Sequence, residues 1–416
     1  MSRVAVPDTP DTPDDPSAPD DAAAAFAALL TPEGAMLLDG LRDYDPADEL
    51  AVATRLRRSH PAALVTAALA QARLRQRAAA KFGEDAAHLY FTPNGLEQAT
   101  RTAVADHRAA RFAALGAHHV ADLGCGIGGD ALALARRGIR VRAVDRDPLT
   151  CAVARANADA LGLGDLIHVR CEDIEQLGAA DLDDCDAVFV DPARRGGRGR
   201  GRVRIFDPEA YSPPLSRAIR TARSRRYAAL KVAPGIPHEA VPEDAAAEWV
   251  SHRGDVKEAV LWFGDPSAAR VRATLLPAGD TLAGGTADPP PVGPVGRYLY
   301  EPDGAVVRAH LVAEIAAELD GRLLDPTIAY ITADTRTPTR FATAYEITDA
   351  LPFHVKRLRA LLREREVGTL TVKKRGSAVE PEELRRKVKP KGPHSATVFL
   401  TRIDGAPSML IGRPCP

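Results

Sequence analysis

From residue 118 the chain alternates short apolar segments with amphipathic ones, and this alternation constrains the fold more than any other feature. Apolar segments bounded by turn residues predict strands, and segments with apolar residues three or four positions apart predict helices. Strands that alternate with helices form a parallel sheet with helices on both faces, so we predict a doubly wound α/β fold. The predicted strands are near Val120–Leu123, Val141–Val144, Ile167–Arg170, Ala187–Val190 and Tyr227–Val232, and the predicted helices near 129–137, 148–161 and 213–225.

Two further strands complete a predicted Rossmann-like sheet of seven strands. They are Glu258–Phe263 and Arg270–Leu275, and the segment between them, Gly264–Ala269, is too short for a helix that crosses the sheet. We therefore predict that these two strands run antiparallel and form a hairpin at the sheet edge.

Length, composition and proline positions predict how the rest of the chain is divided into domains. A chain of 416 residues exceeds one ordinary domain of roughly 150 residues. The first segment repeats Pro, Asp, Thr and Ser with little apolar surface to bury, so we predict that it is disordered. Prolines after Thr31, Asp45, His60 and Thr92 mark helix starts, the last for a helix to about Phe112. The predicted divisions are a tail (1–21), a helical N-terminal region (22–115), the α/β domain (116–278), a linker (279–295) and a small α+β domain (296–416).

Cysteine spacing and hydropathy exclude several classes of protein. The five cysteines form no C-x-x-C pair and no His pair stands at zinc-finger spacing, so we expect neither a disulfide framework nor a metal site. No uninterrupted apolar stretch reaches about 18 residues, and the N-terminus lacks a signal-sequence pattern. We therefore expect no membrane span and a cytoplasmic location. The net charge of -1 conceals segments rich in Arg and Lys, at 194–204 and 353–391.

A glycine-rich turn follows the first predicted strand. Gly124, Gly126 and Gly129 satisfy G-x-G-x-x-G, a pattern in which backbone without Cβ atoms folds tightly around a nucleotide. The pattern alone fits both NAD and S-adenosylmethionine. Asp122, two residues before the first glycine, favours S-adenosylmethionine, because its carboxylate can reach an ammonium group but would repel a pyrophosphate.

Two more carboxylates follow the next two predicted strands. Asp145 ends the second strand about twenty residues after the glycines, where it can accept both ribose hydroxyls. Asp173 follows the third strand, where it can receive the adenine amino group.

With these residues, the segment 118–276 resembles the class I S-adenosylmethionine-dependent methyltransferases: Asp122–Gly128 match motif I, and Asp191–Arg194 match motif IV. The resemblance implies the seven-stranded methyltransferase sheet and S-adenosylmethionine as cofactor. We expect Cys125 to be a small packed side chain, since no neighbouring base or cation lowers its pKa. The expected cofactor-binding residues are Asp122, Gly124, Cys125, Gly126, Gly128, Asp145, Arg146, Glu172 and Asp173.

Motif IV contains the expected catalytic residues, Asp191, Pro192, Ala193 and Arg194. Methyl transfer from a sulfonium requires mainly that an unprotonated nucleophile is aligned and that water is excluded. The resemblance implies that the Asp191 carboxylate and the Pro192 carbonyl accept the hydrogens of an exocyclic amine. Ala193 and Arg194 stand where many amine methyltransferases have a proline and an aromatic residue that stacks on the target.

The sequence Asp-Pro-Ala-Arg is instead similar to motif IV of RNA C5-uridine methyltransferases, which also need a cysteine nucleophile after the next strand. Lys231–Gly235 occupies that place here, so we expect direct transfer to nitrogen or oxygen. Lys231 is a candidate contact to the target or a phosphate, or a strand-end lysine whose stem packs on apolar surface. Phe206 and Tyr211 are candidates for the missing aromatic residue, with simple packing as the alternative.

The C-terminal segment resembles the THUMP-like domain that accompanies some methyltransferases, through Tyr300–Gly304, Leu351–Phe353 and Val372–Gly376. THUMP domains bind RNA, commonly transfer RNA, although they usually precede the catalytic domain. The Arg/Gly segment 194–204 also suits phosphate contacts. The expected substrate-binding residues are Arg195, Arg198, Lys231, Lys373, Lys374 and Arg375.

Four functions follow from these patterns. The leading expectation is an S-adenosylmethionine-dependent methyltransferase that acts on a nitrogen of transfer RNA or ribosomal RNA. The alternatives are a methyltransferase of a small molecule or a protein, a catalytically inactive RNA-binding protein, and an NAD oxidoreductase. Asp122, Asp145 and Asp191 argue against the inactive protein, because a vestigial site has no need of all three carboxylates.

Overall fold

The computed structural model describes residues 18–193, 195–196, 203–204, 207–266 and 269–415. The chain divides into two compact units, Met1–Asp186 and Ala187–Pro416. This division falls between the third and fourth predicted strands, inside the predicted α/β domain.

The first unit begins with a helical region, as predicted. Its helices are α1 (Ala18–Leu29), α2 (Pro32–Asp39), α3 (Glu49–Leu56), α4 (Ala62–Phe82), α5 (Pro93–Gln98) and α6 (Thr102–Ala114). The side chains of Thr31 and Thr92 cap α2 and α5, each accepting a hydrogen bond from a backbone N–H in the first turn. The prolines that follow these two threonines occupy the first helical positions, where a missing N–H costs nothing.

Two boundaries in this region differ from the prediction. Helix α1 begins at Ala18, inside the predicted tail, and residues 1–17 lie outside the described residues. The helix predicted from Thr92 to about Phe112 is two helices. The Lys81 ammonium donates to the carbonyls of Leu96, Glu97 and Ala99 at 2.6, 2.7 and 3.1 Å. These bonds satisfy the carbonyls at the end of α5 and let the chain leave the helix there.

Three parallel strands follow in the first unit. They are β1 (His119–Leu123), β2 (Arg140–Asp145) and β3 (Ile167–Cys171), connected by α7 (Gly129–Ala135) and α8 (Pro148–Ala160). Val120 is paired with Val141, and Val141 with Ile167, so the apolar side chains of the three strands align across the sheet and are buried. The predicted strands and helices of this part are confirmed.

The second unit begins with strands in the order β4-β7-β9-β8-β10-β11. They are β4 (Ala187–Val190), β7 (Tyr227–Val232), β8 (Ala246–His252), β9 (Asp255–Phe263), β10 (Val271–Leu276) and β11 (Asp280–Gly284), with α9 (Leu215–Arg223) between β4 and β7. Two short strands, β5 (Arg195–Gly196) and β6 (Val203–Arg204), form a separate antiparallel pair.

All seven predicted strands occur, but the predicted count is too low because β8 and β11 were not expected. Strand β8 contains Glu248, a carboxylate that a buried strand rarely carries. Glu248 is buried nevertheless, because Trp262 Nε1 on β9 and Thr274 Oγ1 on β10 donate to its two oxygens at 2.9 and 2.6 Å.

The predicted hairpin of Glu258–Phe263 with Arg270–Leu275 is wrong. Strand β8 lies between them, paired antiparallel with β9 and parallel with β10. The connection 264–270 is long enough to pass the roughly 10 Å of two strand spacings. The tight turn is Arg253-Gly254, with φ of 53° and 84°, as a two-residue hairpin requires.

An antiparallel hairpin does lie at the sheet edge, but it is formed by β10 and β11. Strand β11 occupies part of the segment predicted to be a linker. Farther along, Pro291 and Gly293 make backbone hydrogen bonds to Leu323, so this segment also extends the sheet of the C-terminal part.

The C-terminal part of the second unit is a seven-stranded sheet in the order β13-β14-β12-β15-β18-β17-β16. Its strands are β12 (Tyr298–Pro302), β13 (Arg322–Asp325), β14 (Ile328–Ala333), β15 (Ala342–Pro352), β16 (Val367–Lys374), β17 (His394–Ile403) and β18 (Ala406–Pro414). Its helices are α10 (Gly304–Arg308), α11 (Val312–Glu318), α12 (Val355–Glu364) and α13 (Pro381–Val388). This arrangement is the predicted α+β architecture.

Of the helices in the described residues, none is by itself long and apolar enough to cross a membrane. Asp21–Leu29 and Pro32–Asp39 reach that length and composition only when taken together, and they are bent by 75° relative to each other.

Candidate functional site

Three glycines shape the loop between β1 and α7. Gly124, Gly126 and Gly128 have φ values of 90°, 56° and 89°, which L side chains rarely adopt. The N–H groups of Gly124 and Cys125 both donate to the carbonyl of Val144, at 2.9 and 3.0 Å, and hold the loop against the end of β2. A Cβ on Gly126 would meet no described residue within 4 Å other than its chain neighbours, so there is open space on that side of Gly126.

Asp145, at the end of β2, is bound to the same loop. Its Oδ2 accepts a hydrogen bond from the Gly126 N–H at 3.1 Å, and its Oδ1 accepts one from the Asp147 N–H at 3.0 Å. Burial raises the pKa of Asp145 above its usual value, and these two hydrogen bonds offset only part of that rise. The carboxylate is therefore fixed beside the glycine loop.

Within motif I, the side chains of Asp122 and Cys125 are both buried. Asp122 is completely buried on β1, where its carboxylate is a strong attractor for a cationic group. Burial raises the pKa of the Cys125 thiol well above its usual value, and the carboxylates of Asp122 and Asp145 raise it further. Cys125 is thus a buried thiol, and its raised pKa disfavours the reactive thiolate.

The remaining predicted cofactor residues lie at the ends of β2 and β3. The Glu172 N–H donates to the Asp145 carbonyl at 3.0 Å, which brings the end of β3 beside Asp145. Asp173 accepts a hydrogen bond from the Glu175 N–H at 2.9 Å and so stabilises its own turn. Arg146 is exposed next to Asp145. These four residues share one edge of the parallel sheet, and their contacts to the cofactor stay predictions.

A segment before β1 packs on the glycine loop. A Cβ on Gly95 would lie 2.4 Å from Cγ2 of Ile127, so α5 approaches the loop as closely as a glycine allows. Asn157 of α8 donates from Nδ2 to the carbonyls of Tyr90 and Ile127 at 3.1 and 2.9 Å. The segment that contains α5 therefore packs beside the glycine loop.

Sequence reasoning did not single out Gly95, Asn157 or the ion pair of Arg108 with Asp130. Arg108 and Asp130 are both buried, and their pair joins α6 to the helix that follows the glycine loop. Two signals were present: a glycine inside a helical first turn, and an asparagine within the Ala-rich helix α8. Each is unfavourable for a helix unless a close approach or a buried hydrogen bond requires it.

Asp191 follows β4 and forms an ion pair with Lys231 of the adjacent strand β7. Lys231 Nζ donates to Asp191 Oδ2 at 2.7 Å, and the two side chains are 7% and 23% exposed. Val190 is paired with Leu230, so this register places Asp191 beside Lys231 at the ends of the two strands. Lys231 therefore contacts Asp191, and its contact to the target or to a phosphate stays a prediction.

The rest of motif IV is described only in part. Pro192 is buried, and Ala193 forms two backbone hydrogen bonds with Ser212, at 2.8 and 3.1 Å. Arg194 and Phe206 lie outside the described residues. Tyr211 is 3% exposed, which favours packing over a stacking role.

The predicted substrate-binding cations of the C-terminal domain are engaged within that domain. Lys373 pairs with Glu301, and Lys374 pairs with Glu380 at 2.5 Å. The Arg375 guanidinium donates to the carbonyls of Ala329 and Pro302 at 2.9 and 3.2 Å. Arg198 lies outside the described residues, and the structure describes the backbone of Arg195 but not its side chain.

Three family models match parts of the chain. A methyltransferase domain matches residues 120–193, which contain the glycine loop and Asp191. A THUMP domain-like model matches residues 342–414, and a domain of unknown function matches residues 21–78.

Individual proteins extend this similarity. An uncharacterized S-adenosylmethionine-dependent methyltransferase of Mycobacterium tuberculosis H37Rv is 36% identical over 352 residues, which cover 81% of this chain and 92% of the relative. An uncharacterized RNA methyltransferase of Parasynechococcus marenigrum is 40% identical over 77 residues, 18% of this chain and 17% of that protein. A 23S rRNA (uracil(1939)-C(5))-methyltransferase of Acidithiobacillus ferrooxidans is 36% identical over 86 residues, 19% of this chain and 18% of that protein.

One solved structure is similar in fold over nearly the whole chain. It is a presumed methyltransferase from Porphyromonas gingivalis W83, with a TM-score of 0.72 and 21% identity, covering 90% of this chain and 100% of that one.

The residues of the glycine loop fit S-adenosylmethionine. The loop leaves bare backbone and open space at Gly126, Asp122 offers a buried carboxylate for an ammonium, and Asp145 stands fixed at the end of β2. The extent of the match to the mycobacterial relative is decisive, since it includes four fifths of this chain. The chain belongs to the class I S-adenosylmethionine-dependent methyltransferases, enzymes that use S-adenosylmethionine as methyl donor, and it carries a THUMP-like C-terminal domain.

Proposed function

We propose that this enzyme transfers the methyl group directly to a nitrogen of transfer RNA or ribosomal RNA, without a covalent cysteine intermediate. The observation that carries the proposal is the ion pair of Lys231 with Asp191. Lys231 begins the segment in which a uridine C5-methyltransferase needs its cysteine. An ammonium group paired with a carboxylate does not add to a pyrimidine ring, and Lys231–Gly235 contains no cysteine, so the acceptor has to be nucleophilic without covalent activation, as an amine nitrogen is.

Asp191 has a defined role in this proposal. Lys231 holds one carboxylate oxygen of Asp191 and so fixes the orientation of the other. That second oxygen and the carbonyl of the buried Pro192 accept the two hydrogens of an exocyclic amine, which directs the nitrogen lone pair at the methyl group. After the nitrogen–carbon bond forms, the nitrogen loses a proton, for which the Asp191 carboxylate is the base in reach.

The first unit supplies the proposed donor site. Bound S-adenosylmethionine supplies an electrophilic methyl group on a sulfonium, which leaves as a neutral thioether without acid catalysis. Asp122 binds its ammonium group, Asp145 the two ribose hydroxyls and Asp173 the adenine amino group. In the same proposal, the packing of α5 on the glycine loop excludes water from the donor.

Two observations support RNA as the substrate class. The C-terminal domain matches a THUMP domain-like model, and two shorter matches are to proteins named as RNA methyltransferases. Because Lys373, Lys374 and Arg375 have partners within their own domain, the proposal does not assign the main RNA contact to Lys373 or Lys374. We also propose a cytoplasmic location, since all five cysteines are free thiols.

Tritiated S-adenosylmethionine tests this function with the full chain and separated cellular RNA, protein and metabolite fractions. We expect label in RNA, and an N-methylated nucleoside after digestion. Label confined to protein or metabolites would overturn the RNA proposal, and 5-methyluridine would overturn transfer to nitrogen.

A matched pair of variants tests the role of Asp191. Asp191→Ala should lower turnover about a hundredfold or more, the usual effect of removing one group that stabilises the transition state. Its affinity for S-adenosylhomocysteine should stay within a few fold. Asp288→Ala, which removes an exposed carboxylate in the segment before β12, should not change turnover. Equal turnover of both variants would refute the assigned role.

A further inference from the structure

The second unit contains a cleft of about 460 Å³ that the proposed reaction does not use. It lies between the loop after β7, the end of α10, the start of β14 and the turn after β16. Among the described residues that line it, four carry cationic or titratable side chains and none is a carboxylate. These four are His238, Arg308, His310 and Arg375. The lining therefore suits an anionic ligand.

Two stacked imidazole rings line the cleft, and a third ring stacks behind them. His238 stacks on Trp249 with ring centroids 4.7 Å apart and 12° between the planes, and on His310 at 3.7 Å and 6°. Trp249 is completely buried and His310 is exposed, so the imidazole of His310 is the outer ring of the stack. Desolvation of the ring face that His238 covers, together with the nearby His238 side chain, lowers the pKa of His310 and favours a neutral ring at pH 7.

The backbone of His310 adopts a positive φ, which is strained for any residue with a Cβ. The chain leaves α10 in a Schellman turn, in which the N–H groups of His310 and Leu311 donate to the carbonyls of Val307 and Val306 at 3.2 and 3.0 Å. His310 has φ of 58° at the position where glycine is the common residue. Glycine would fit this turn with less strain, but it has no ring to extend the stack.

Two arginines flank the stack. Arg308 is exposed, and its Nη1 would lie 3.7 Å from a Cβ on Gly235, at the mouth of the cleft. The guanidinium of Arg375 is fixed by its two backbone carbonyl partners. Arg375, Lys373 and Glu301 together carry two positive charges and one negative charge, so this side of the cleft keeps a net charge of one positive unit.

We propose that this cleft binds single-stranded RNA, with one nucleobase stacked on His310 and the adjacent phosphates contacted by Arg308 and Arg375. Aromatic side chains that stack on unpaired bases, beside cations that contact the backbone, are the usual means of binding single strands. The inference rests on the proposed RNA substrate and adds a binding site for it. In this site the His310 ring stacks on an unpaired base. A duplex has no unpaired base for this contact.

Binding of fluorescein-labelled RNA to the full chain, without a methyl donor, tests the cleft. We compare a single-stranded oligoadenylate with a duplex RNA of the same length. His310→Gly should lower the affinity for the single strand about tenfold, the usual effect of losing one stacking ring. Affinity for the duplex should not change, and the melting temperature should stay the same or rise, since glycine relieves the strain. Arg308→Ala should weaken binding of both RNAs and flatten the salt dependence.

Arg363→Ala is the matched control, because it removes an exposed arginine from α12 of the same domain and should change neither affinity by more than twofold. Unchanged single-strand affinity in His310→Gly would overturn the stacking site. If the wild-type chain methylates RNA while both cleft variants bind normally, this inference fails and the proposed function stands. If single strands bind through His310 but no RNA is methylated, the cleft stands and the proposed function fails.

Discussion

The α-carbon of Gly95 lies against the side chain of Ile127 with no room for a Cβ, which would be 2.4 Å from Ile127 Cγ2. Helix α5 and the glycine loop therefore touch through a glycine, and the position of one depends on the other. The Asn157 amide strengthens the same contact by bonding the carbonyls on both sides of it.

Gly95→Ala should separate α5 from the loop and weaken cofactor binding. Overpacking of this kind costs about 1–3 kcal/mol, so we expect a lower melting temperature and at least a severalfold loss of affinity for S-adenosylhomocysteine in titration calorimetry. Gly40→Ala is the control, because a Cβ there would meet nothing closer than 3.5 Å. A Gly95→Ala variant with wild-type affinity would show that the contact does not support the donor site.

Lys231→Met should lower turnover by roughly 10–100-fold, because it leaves the Asp191 carboxylate without the ammonium that orients it. Binding of S-adenosylhomocysteine should change little, so the defect should appear in kcat. Lys231→Arg should recover part of the activity. Lys257→Met is the control, since Lys257 pairs at 3.2 Å with the exposed Asp255, two positions earlier on the same strand, β9. If both methionine variants lost the same small activity, Lys231 would have no positioning role.

The raised pKa of Asp145 predicts a pH dependence of cofactor binding. A carboxyl group with a raised pKa takes up its proton at a higher pH than an ordinary aspartate as the pH falls. The ionised form accepts the ribose hydroxyls, so affinity should be full above this pKa and decline as the pH falls through it.

Calorimetry with S-adenosylhomocysteine from pH 8 downward measures this decline. Asp145→Asn should bind weakly at every pH and lose the acidic decline. An Asp145→Asn variant with the same decline as the wild type would assign the titration to another group.

The strands up to Val190 were predictable because each is a short segment with apolar residues at adjacent or alternate positions that alternates with a helix or ends at a turn. Strand β8 was not, because Glu248 interrupts the apolar pattern, and only its partners Trp262 and Thr274 from other strands make its burial possible. Such partners are distant in sequence and become neighbours only in the folded sheet. The same limit applied to β11, whose short sequence among glycines and prolines resembles a linker until it pairs with β10.

The candidate site was predictable where one segment supplies several groups, as in the glycine loop. The site was less predictable where residues from two separate segments of the chain must come into contact. Lys231 was recognised as a candidate, but its pairing with Asp191 depends on the register of β4 and β7. Lys373 shows the same limit, since the sequence of its basic run does not reveal that Glu301, 72 positions earlier, pairs with it in the fold.

Strand β11 also bears on how this enzyme could have been assembled. A module joined by a loose tether can be exchanged between proteins by recombination within the tether. Here the connecting segment completes the catalytic sheet through β10, while Asp280 within it is paired with Arg340 of the C-terminal domain at 2.7 Å. A crossover in this segment would break a strand and a salt bridge together, so the two parts are expected to be inherited as one piece.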